Sequence, residues 1–435
     1  MSYAPFIARR QALIQRMGEG VAIVPTAPEQ IRNRDAHYPF RSDSYFHYLS
    51  AFPEPEAVLV LVAGAKPKSI LFCREKNEER EIWDGYRYGP AGAAETFGFD
   101  EAYTIGELDA KLPELIANQP QLWAAFGFEP AWDARISAAL NVVRGQSRAG
   151  KRAPETVRNV RSLLDEMRLI KDGHELEIMR SAAAISAGAH RRAMIAARPG
   201  RCEYEVEAEL LHEFRRHGSG FPAYTSIVAS GAHACVLHYV DNDAQINDGD
   251  LILIDAGCEL DGYASDITRA FPANGRFSGP QRDVYQMVLD AQSAAAAATR
   301  PGASFMAPHE AALQVLAQGL LDLKLLSGSV AEVIEKESYK RFYMHRTSHW
   351  LGMDVHDAGE YKDGDQWKTL QPNMVLTLEP GCYIRPADDI PHAFWNIGVR
   401  IEDDAVVTTD GCELISRGVP VSIAEIEALI ADGRQ

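Results

Sequence analysis

At 435 residues the chain exceeds what one hydrophobic core usually supports, which predicts two domains, each able to bury a core of its own. A net charge of −17, with no basic block, argues against binding nucleic acid phosphates or anionic membrane. The six cysteines are scattered without a Cys-x-x-Cys pair, no apolar run approaches the ~18 residues of a spanning helix, and the start lacks a signal pattern, so a soluble cytoplasmic protein is expected.

From the N-terminus, a helical pattern over Phe6 to Met17 precedes apolar strand-like runs at Val21 to Val24, Ala57 to Val62, Ser69 to Cys73 and Gln121 to Phe126. A further helical pattern covers Ala134 to Val143. Strands separated by helices predict an α/β domain over residues 1–165. The small, basic stretch from Gly145 to Arg152 reads as a loop near the boundary. It matches part of a phosphate-binding loop, but Arg152 stands where a Ser or Thr belongs and Pro154 follows, so the match is read as chance.

Residues 166–435 begin with a long predicted helix. Asp172 and Glu175 have capping-box spacing, and Arg198-Pro199-Gly200 stops it. A second helix starts near Ser278 and ends at Arg300-Pro301-Gly302. Strand runs cover Leu251 to Ala256, Tyr263 to Phe271 and Val375 to Leu378, each after a turn signal. Segregated helices and hairpins predict an α+β domain.

Asp255 ends the first of these apolar strands, on the face of Leu251 and Leu253, and Asp266 follows across the Asp261-Gly262 turn. A two-residue loop sets Gly257 opposite Asp266 with Asp255 diagonal to it. A four-residue loop sets Asp255 directly opposite Asp266. Either register puts both acids on one face, where they repel unless one is protonated or a cation lies between them. Glu379 and Glu402 also close apolar strand runs, with Arg400 on the face of Glu402; Asp403 and Asp404 read as solvated. His345, His349 and His356 crowd one short segment, without the His-Glu-x-x-His spacing of a helical zinc protease. Four acids and an imidazole suit a pair of hard to borderline divalent ions better than a structural zinc.

Together these segments resemble the aminopeptidase P and prolidase group of "pita-bread" metallopeptidases: His345 to Asp357, Leu376 to Gly381 and Arg400 to Asp403 look like its signature and later ligand segments. In the N-terminal half, Asp35 before Tyr38-Pro39-Phe40-Arg41, then Phe52 to Ala57 and Glu81-Ile82-Trp83, resemble the bacterial aminopeptidase P family. The resemblance implies a pita-bread catalytic domain in which Asp255, Asp266 and Glu402 hold one ion and Asp266, His349, Glu379 and Glu402 the other. It implies manganese, while ligand hardness also permits cobalt or zinc. It further implies a homo-oligomer, a dimer or tetramer, in which Asp35 and Trp83 approach a neighbouring subunit's site. His238, His345, His356, Tyr361 and Arg400 would surround the substrate. One departure is Lys362-Asp363-Gly364-Asp365, which lacks an arginine expected after Tyr361.

The implied activity is release of the first residue from peptides with proline at position two, by attack of a hydroxide bridging the ions. Glu379 would move the proton, and His238 and His356 would steady the developing oxyanion or the substrate. Proline offers no N–H, so its ring must be recognised by shape, with Tyr224 and the histidines as candidate walls. A prolidase limited to Xaa-Pro dipeptides is the alternative enzyme; a non-catalytic pita-bread module binding peptides or proteins is the alternative from another class.

Overall fold

The computed structural model describes residues 2–434, which divide into two compact units after Met167. The N-terminal unit is built on a six-stranded mixed sheet. Its central strand Gly20–Pro25 runs antiparallel to Val58–Ala63 and parallel to Gln121–Ala124. Val58–Ala63 continues to Lys68–Cys73 and Glu101–Thr104, and Gln121–Ala124 continues to the edge strand Thr156–Asn159. The inner strands are apolar at nearly every position because both of their faces are covered. Val21, Ile23, Val60, Ile70 and Phe72 pack on one face against Leu112, Ile116, Ile136 and Leu140. Each such side chain contributes roughly 1.5–3 kcal/mol when buried. The helix expected at Ala134 to Val143 is longer, Pro130–Gly145, because Pro130 is preorganised for a first turn. The strand expected to reach Phe126 stops at Ala124, and Phe126 is exposed.

The C-terminal unit sets long helices against small antiparallel sheets. Helix Gly173–Ala196 begins at a reciprocal capping box: the Asp172 carboxylate accepts from the Glu175 N–H at 3.0 Å, and the Asp172 N–H donates to the Glu175 carboxylate at 2.9 Å. Ser278 and Gln281 cap helix Gly279–Ala298 likewise. Ala182, Ala187, Ala189 and Ala193 are buried, and their small size lets the helix lie close to the sheets. Strand Leu251–Asp255 lies between Ile227–Ser230 and Thr268–Pro272. Val375–Leu378 pairs with Asp403–Val407, and Gly381–Ile384 with Ile397–Arg400.

The register of the first hairpin decides between the two expected loops. Leu260 pairs with Tyr263, and Asp255 with Thr268, so the loop is Asp261-Gly262 alone. Both residues have positive φ, +47° and +83°, as a primed hairpin turn requires. The single strand expected from Tyr263 to Phe271 is instead two, Tyr263–Ala264 and Thr268–Pro272, with Asp266 in the break. Gly257 permits that break: a Cβ there would lie 1.7 Å from the Ser265 carbonyl oxygen. All six cysteines are free. No helix among the described residues is long and apolar enough to cross a membrane.

Candidate functional site

Asp255, Asp266, His349, Glu379 and Glu402 converge on one cavity of about 660 Å³ in the C-terminal unit. Asp255, Glu379 and Glu402 stand at or just beyond strand ends, Asp266 lies in the break between two strands, and His349 precedes the Trp350–Leu376 bridge. Asp255 is the last residue of its strand, while the Asp266 N–H donates to the Asp404 carboxylate at 3.2 Å. The Glu402 N–H donates to the Thr268 carbonyl at 3.0 Å, and the Thr268 hydroxyl donates to the Glu402 carboxylate at 2.6 Å. Thr377 ties two candidates together. Its hydroxyl accepts from the His349 N–H at 3.1 Å and donates to Glu379 Oε1 at 3.3 Å. His349 Nδ1 lies 2.9 Å from the Trp350 carbonyl, which turns Nε2 inward, 3.4 Å from Asp266 Oδ2 and 3.6 Å from Glu379 Oε1. Ligand atoms of Asp266, His349 and Glu402 all fall within 4.8 Å of one another.

The electrostatics describe an excess of negative charge. Burial first, then the neighbouring carboxylates, pushes Glu402 well above the usual range and Glu379 up to about 7. Asp266 is raised by burial and by Asp255. Burial pulls the His349 imidazole down, but its bond to Asp266 and the charge of Glu379 outweigh that and lift it to about 9. Tyr224 carries one hydroxyl proton and lies 2.5 Å from both Asp255 and Asp266. Arg400 meets Asp255 at 2.5 Å. Two buried carboxylates, Asp266 and Glu402, and two half-buried ones, Asp255 and Glu379, face one guanidinium and one imidazole, and this oxygen-rich donor set would fit hard to borderline divalent ions.

His238, His345 and His356 also line the cavity. His345 Nε2 lies 2.9 Å from the Tyr383 hydroxyl, and burial, with Arg400 beyond, draws the imidazole down to about 3. The His356 ring meets that of His349 edge to face at 4.3 Å between centroids. Ile227, Leu237, Val240 and Val355 supply an apolar wall.

Three candidates stand elsewhere. Tyr361 is not a wall of the cavity: it stacks on Trp350 at 5.7 Å and packs against Phe305, because an aromatic cluster behind the His349 segment takes its ring. Asp35 occupies the exposed turn between Ile31–Asn33 and Ala36–His37 of the N-terminal unit. Trp83, on helix Glu78–Asp84 of that unit, is 82% exposed.

Asp403 and Asp404 correct the expectation of solvated acids, since both are fully buried. Asp403 pairs with Arg269 at 2.8 Å and accepts from Gln292 and Ser416, so partners far apart in the chain compensate the charge. Arg269 also donates to the Glu402 carbonyl at 2.5 Å. Sequence reading missed Arg269, Thr268, Thr377 and Tyr383. An arginine inside the apolar run before Ala270-Phe271 was the available signal for the first; hydroxyl residues in strands carry no comparable mark.

The metallopeptidase family M24 model matches residues 177–409, and the aminopeptidase P N-terminal domain model matches residues 6–123. A Xaa-Pro aminopeptidase of Escherichia coli (strain K12) is 42% identical, covering 100% of this chain and 99% of the relative. The solved structure of Pseudomonas aeruginosa aminopeptidase PepP matches with a TM-score of 0.98 at 50% identity, covering 100% of this chain and 99% of that one. A glutamate-to-alanine variant of Escherichia coli aminopeptidase P in complex with substrate matches with a TM-score of 0.97 at 42% identity and the same coverage. The architecture is thus an α/β domain followed by an α+β pita-bread domain. With its carboxylate-rich cavity inside the matched region, the chain belongs to metallopeptidase family M24 and carries an aminopeptidase P N-terminal domain.

Proposed function

We propose that the protein is a Xaa-Pro aminopeptidase, a metal-dependent exopeptidase that releases the first residue from peptides with proline second. The observation that carries this reading is the convergence of five ligand-type side chains and three histidines on one cavity, in a chain similar along its whole length to an aminopeptidase P solved with substrate. Asp255, Asp266 and Glu402 would hold one ion, and Asp266, His349, Glu379 and Glu402 a second. Manganese is the proposed native metal. When bound, the ions acidify a water and polarise the scissile carbonyl.

The chain's own groups account for the rest. Arg400 and Tyr224 fix Asp255 in place, so the acidic shell keeps its geometry as a peptide amino terminus enters. Glu379, oriented by Thr377, carries the proton toward the leaving nitrogen. His238 and His356 hold the substrate and the developing oxyanion, and His345 is oriented through Tyr383. Because a bond before proline has no N–H to recognise, the apolar wall of Ile227, Leu237, Val240 and Val355 selects the ring by shape. Asp35 and Trp83 are proposed to meet a neighbouring copy in a homo-oligomer, which sedimentation of the wild-type protein and of Trp83→Ala would test.

Incubating metal-replete protein with Xaa-Pro-Xaa, Xaa-Ala-Xaa and Xaa-Pro peptides tests the activity. Manganese-dependent release of the first residue from the proline tripeptide is expected. No release would overturn the proposal, equal cleavage of the alanine peptide would remove proline selectivity, and cleavage of the dipeptide alone would make the enzyme a prolidase.

A further inference from the structure

We propose that Glu203 is the positioning residue for the loop that presents His238, a reading that rests on His238 acting in peptide cleavage. Glu203 opens helix Glu203–Arg216, and its side chain has no solvent exposure. Its carboxylate accepts from the Ser230 N–H at 2.7 Å, the Ser230 hydroxyl at 2.7 Å, the Tyr239 hydroxyl at 2.7 Å and the Ala244 N–H at 3.0 Å. His233 Nδ1 lies 3.4 Å away. A carboxylate has about four acceptor sites, so the donors use them all.

These partners mark out one segment. Ser230 ends strand Ile227–Ser230, Ala244 is where the chain returns, and His233 and Tyr239 lie between them. Leu237, His238 and Val240 of the same segment line the cavity. The segment contains a single 3-10 turn, Gly231–Cys235, and no strand, so regular backbone pairing does little to define it. Side chains anchor it instead. Asn242 accepts from the Val228 N–H at 2.9 Å and donates to the Ser226 carbonyl at 2.8 Å, and Arg385 donates to the Cys235 carbonyl at 2.8 Å. Nearest to His238 is its neighbour Tyr239, stacked on His233 at 4.2 Å and bonded to Glu203.

Burying a carboxylate is costly unless hydrogen bonds compensate it. Here the compensation comes from both ends and the middle of the loop, so loop order and carboxylate burial depend on each other. An amide in its place would meet either the Ser230 N–H or the Ala244 N–H with a donor, whichever way it is turned, and break part of the clamp.

Glu203→Gln and Tyr239→Phe test this, the second removing only one hydroxyl. Both should raise deuterium uptake of residues 231–243 severalfold while leaving residues 251–272 unchanged. Both should also lower kcat/KM by about 10- to 100-fold, the scale expected when a substrate-facing group is displaced. In a His238→Ala background the same substitutions should add less than about a twofold loss. Unchanged exchange in the Tyr239→Phe protein would overturn the proposal, as would a full loss persisting without His238. If Glu203→Gln fails to fold, Tyr239→Phe decides alone. Wild-type turnover by His238→Ala itself would refute the role given to His238, while the exchange data would still report on the hold of Glu203 over the loop.

Discussion

Glu379 and Tyr224 show how single side chains carry the chemistry of the cavity. Glu379 Oε1 accepts from Thr377, and Oε2 lies 3.7 Å from His345 Nδ1, so one carboxylate faces both a candidate ligand cluster and an imidazole. Replacing it with Gln keeps the volume and removes the proton acceptor. Turnover should fall about 10²- to 10⁴-fold with the melting temperature of the metal-free protein nearly unchanged, as steady-state kinetics and calorimetry of chelated samples would report; wild-type turnover would end the proton-transfer role. Tyr224, expected as a wall for the proline ring, lines the cavity and also spans Asp255 and Asp266 with one proton. Tyr224→Phe should weaken metal binding by about 10- to 100-fold in a calorimetric titration, since groups that orient ligands affect affinity on that scale. Equal affinities would show that its hydroxyl does not order the two acids.

At the level of elements, the site depends on a hairpin that must open at one point. The Asp261-Gly262 turn sets the register, and Gly257 lets the Ser265 backbone approach so that Asp266 leaves the strand and turns toward Asp255. Gly257→Ala forces the two strands apart. It should destabilise the protein by at least about 1–3 kcal/mol in denaturant unfolding, the scale of overpacking, and reduce metal content. A variant with an unshifted midpoint and full metal content would show that the strands can separate at no cost. The turn, the strand face of Asp255 and the capping box of Asp172 and Glu175 were legible in local residues. The break at Asp266 was not, because it is created by a close contact between segments rather than by the residues beside it.

For the whole molecule, metal and protons should both be linked to stability. Ions that bind only the folded state stabilise it, by about 2.7 kcal/mol at a concentration one hundred times Kd. Chelation should therefore abolish peptide release and lower the melting temperature, with manganese restoring both; a chelated protein with unchanged melting and activity would contradict the metal site. His190 is fully buried against the Ala256 carbonyl, and burial draws its imidazole down to about 4. The unfolded chain, with an ordinary value near 6.5, takes up that proton first. The penalty is absent above about pH 6.5, grows as pH falls, and is complete below about pH 4, where it reaches roughly 3 kcal/mol. Metal-free His190→Gln should lose less stability than wild type between those pH values in urea titrations.

The two-domain organisation, the α/β and α+β classes, and the five candidate ligands were readable from the chain alone. Strand periodicity, caps and turn residues act over a few positions, and an acid closing an apolar strand is conspicuous in its own segment. Tertiary structure decided what depends on partners far away in sequence. It buried Asp403 against Arg269, Gln292 and Ser416 and Asp404 against the Asp266 N–H, moved Tyr361 behind the site, and joined Tyr224 to two acids. The cost of a buried charge is set by which groups fold around it, and those groups are known only once distant segments meet.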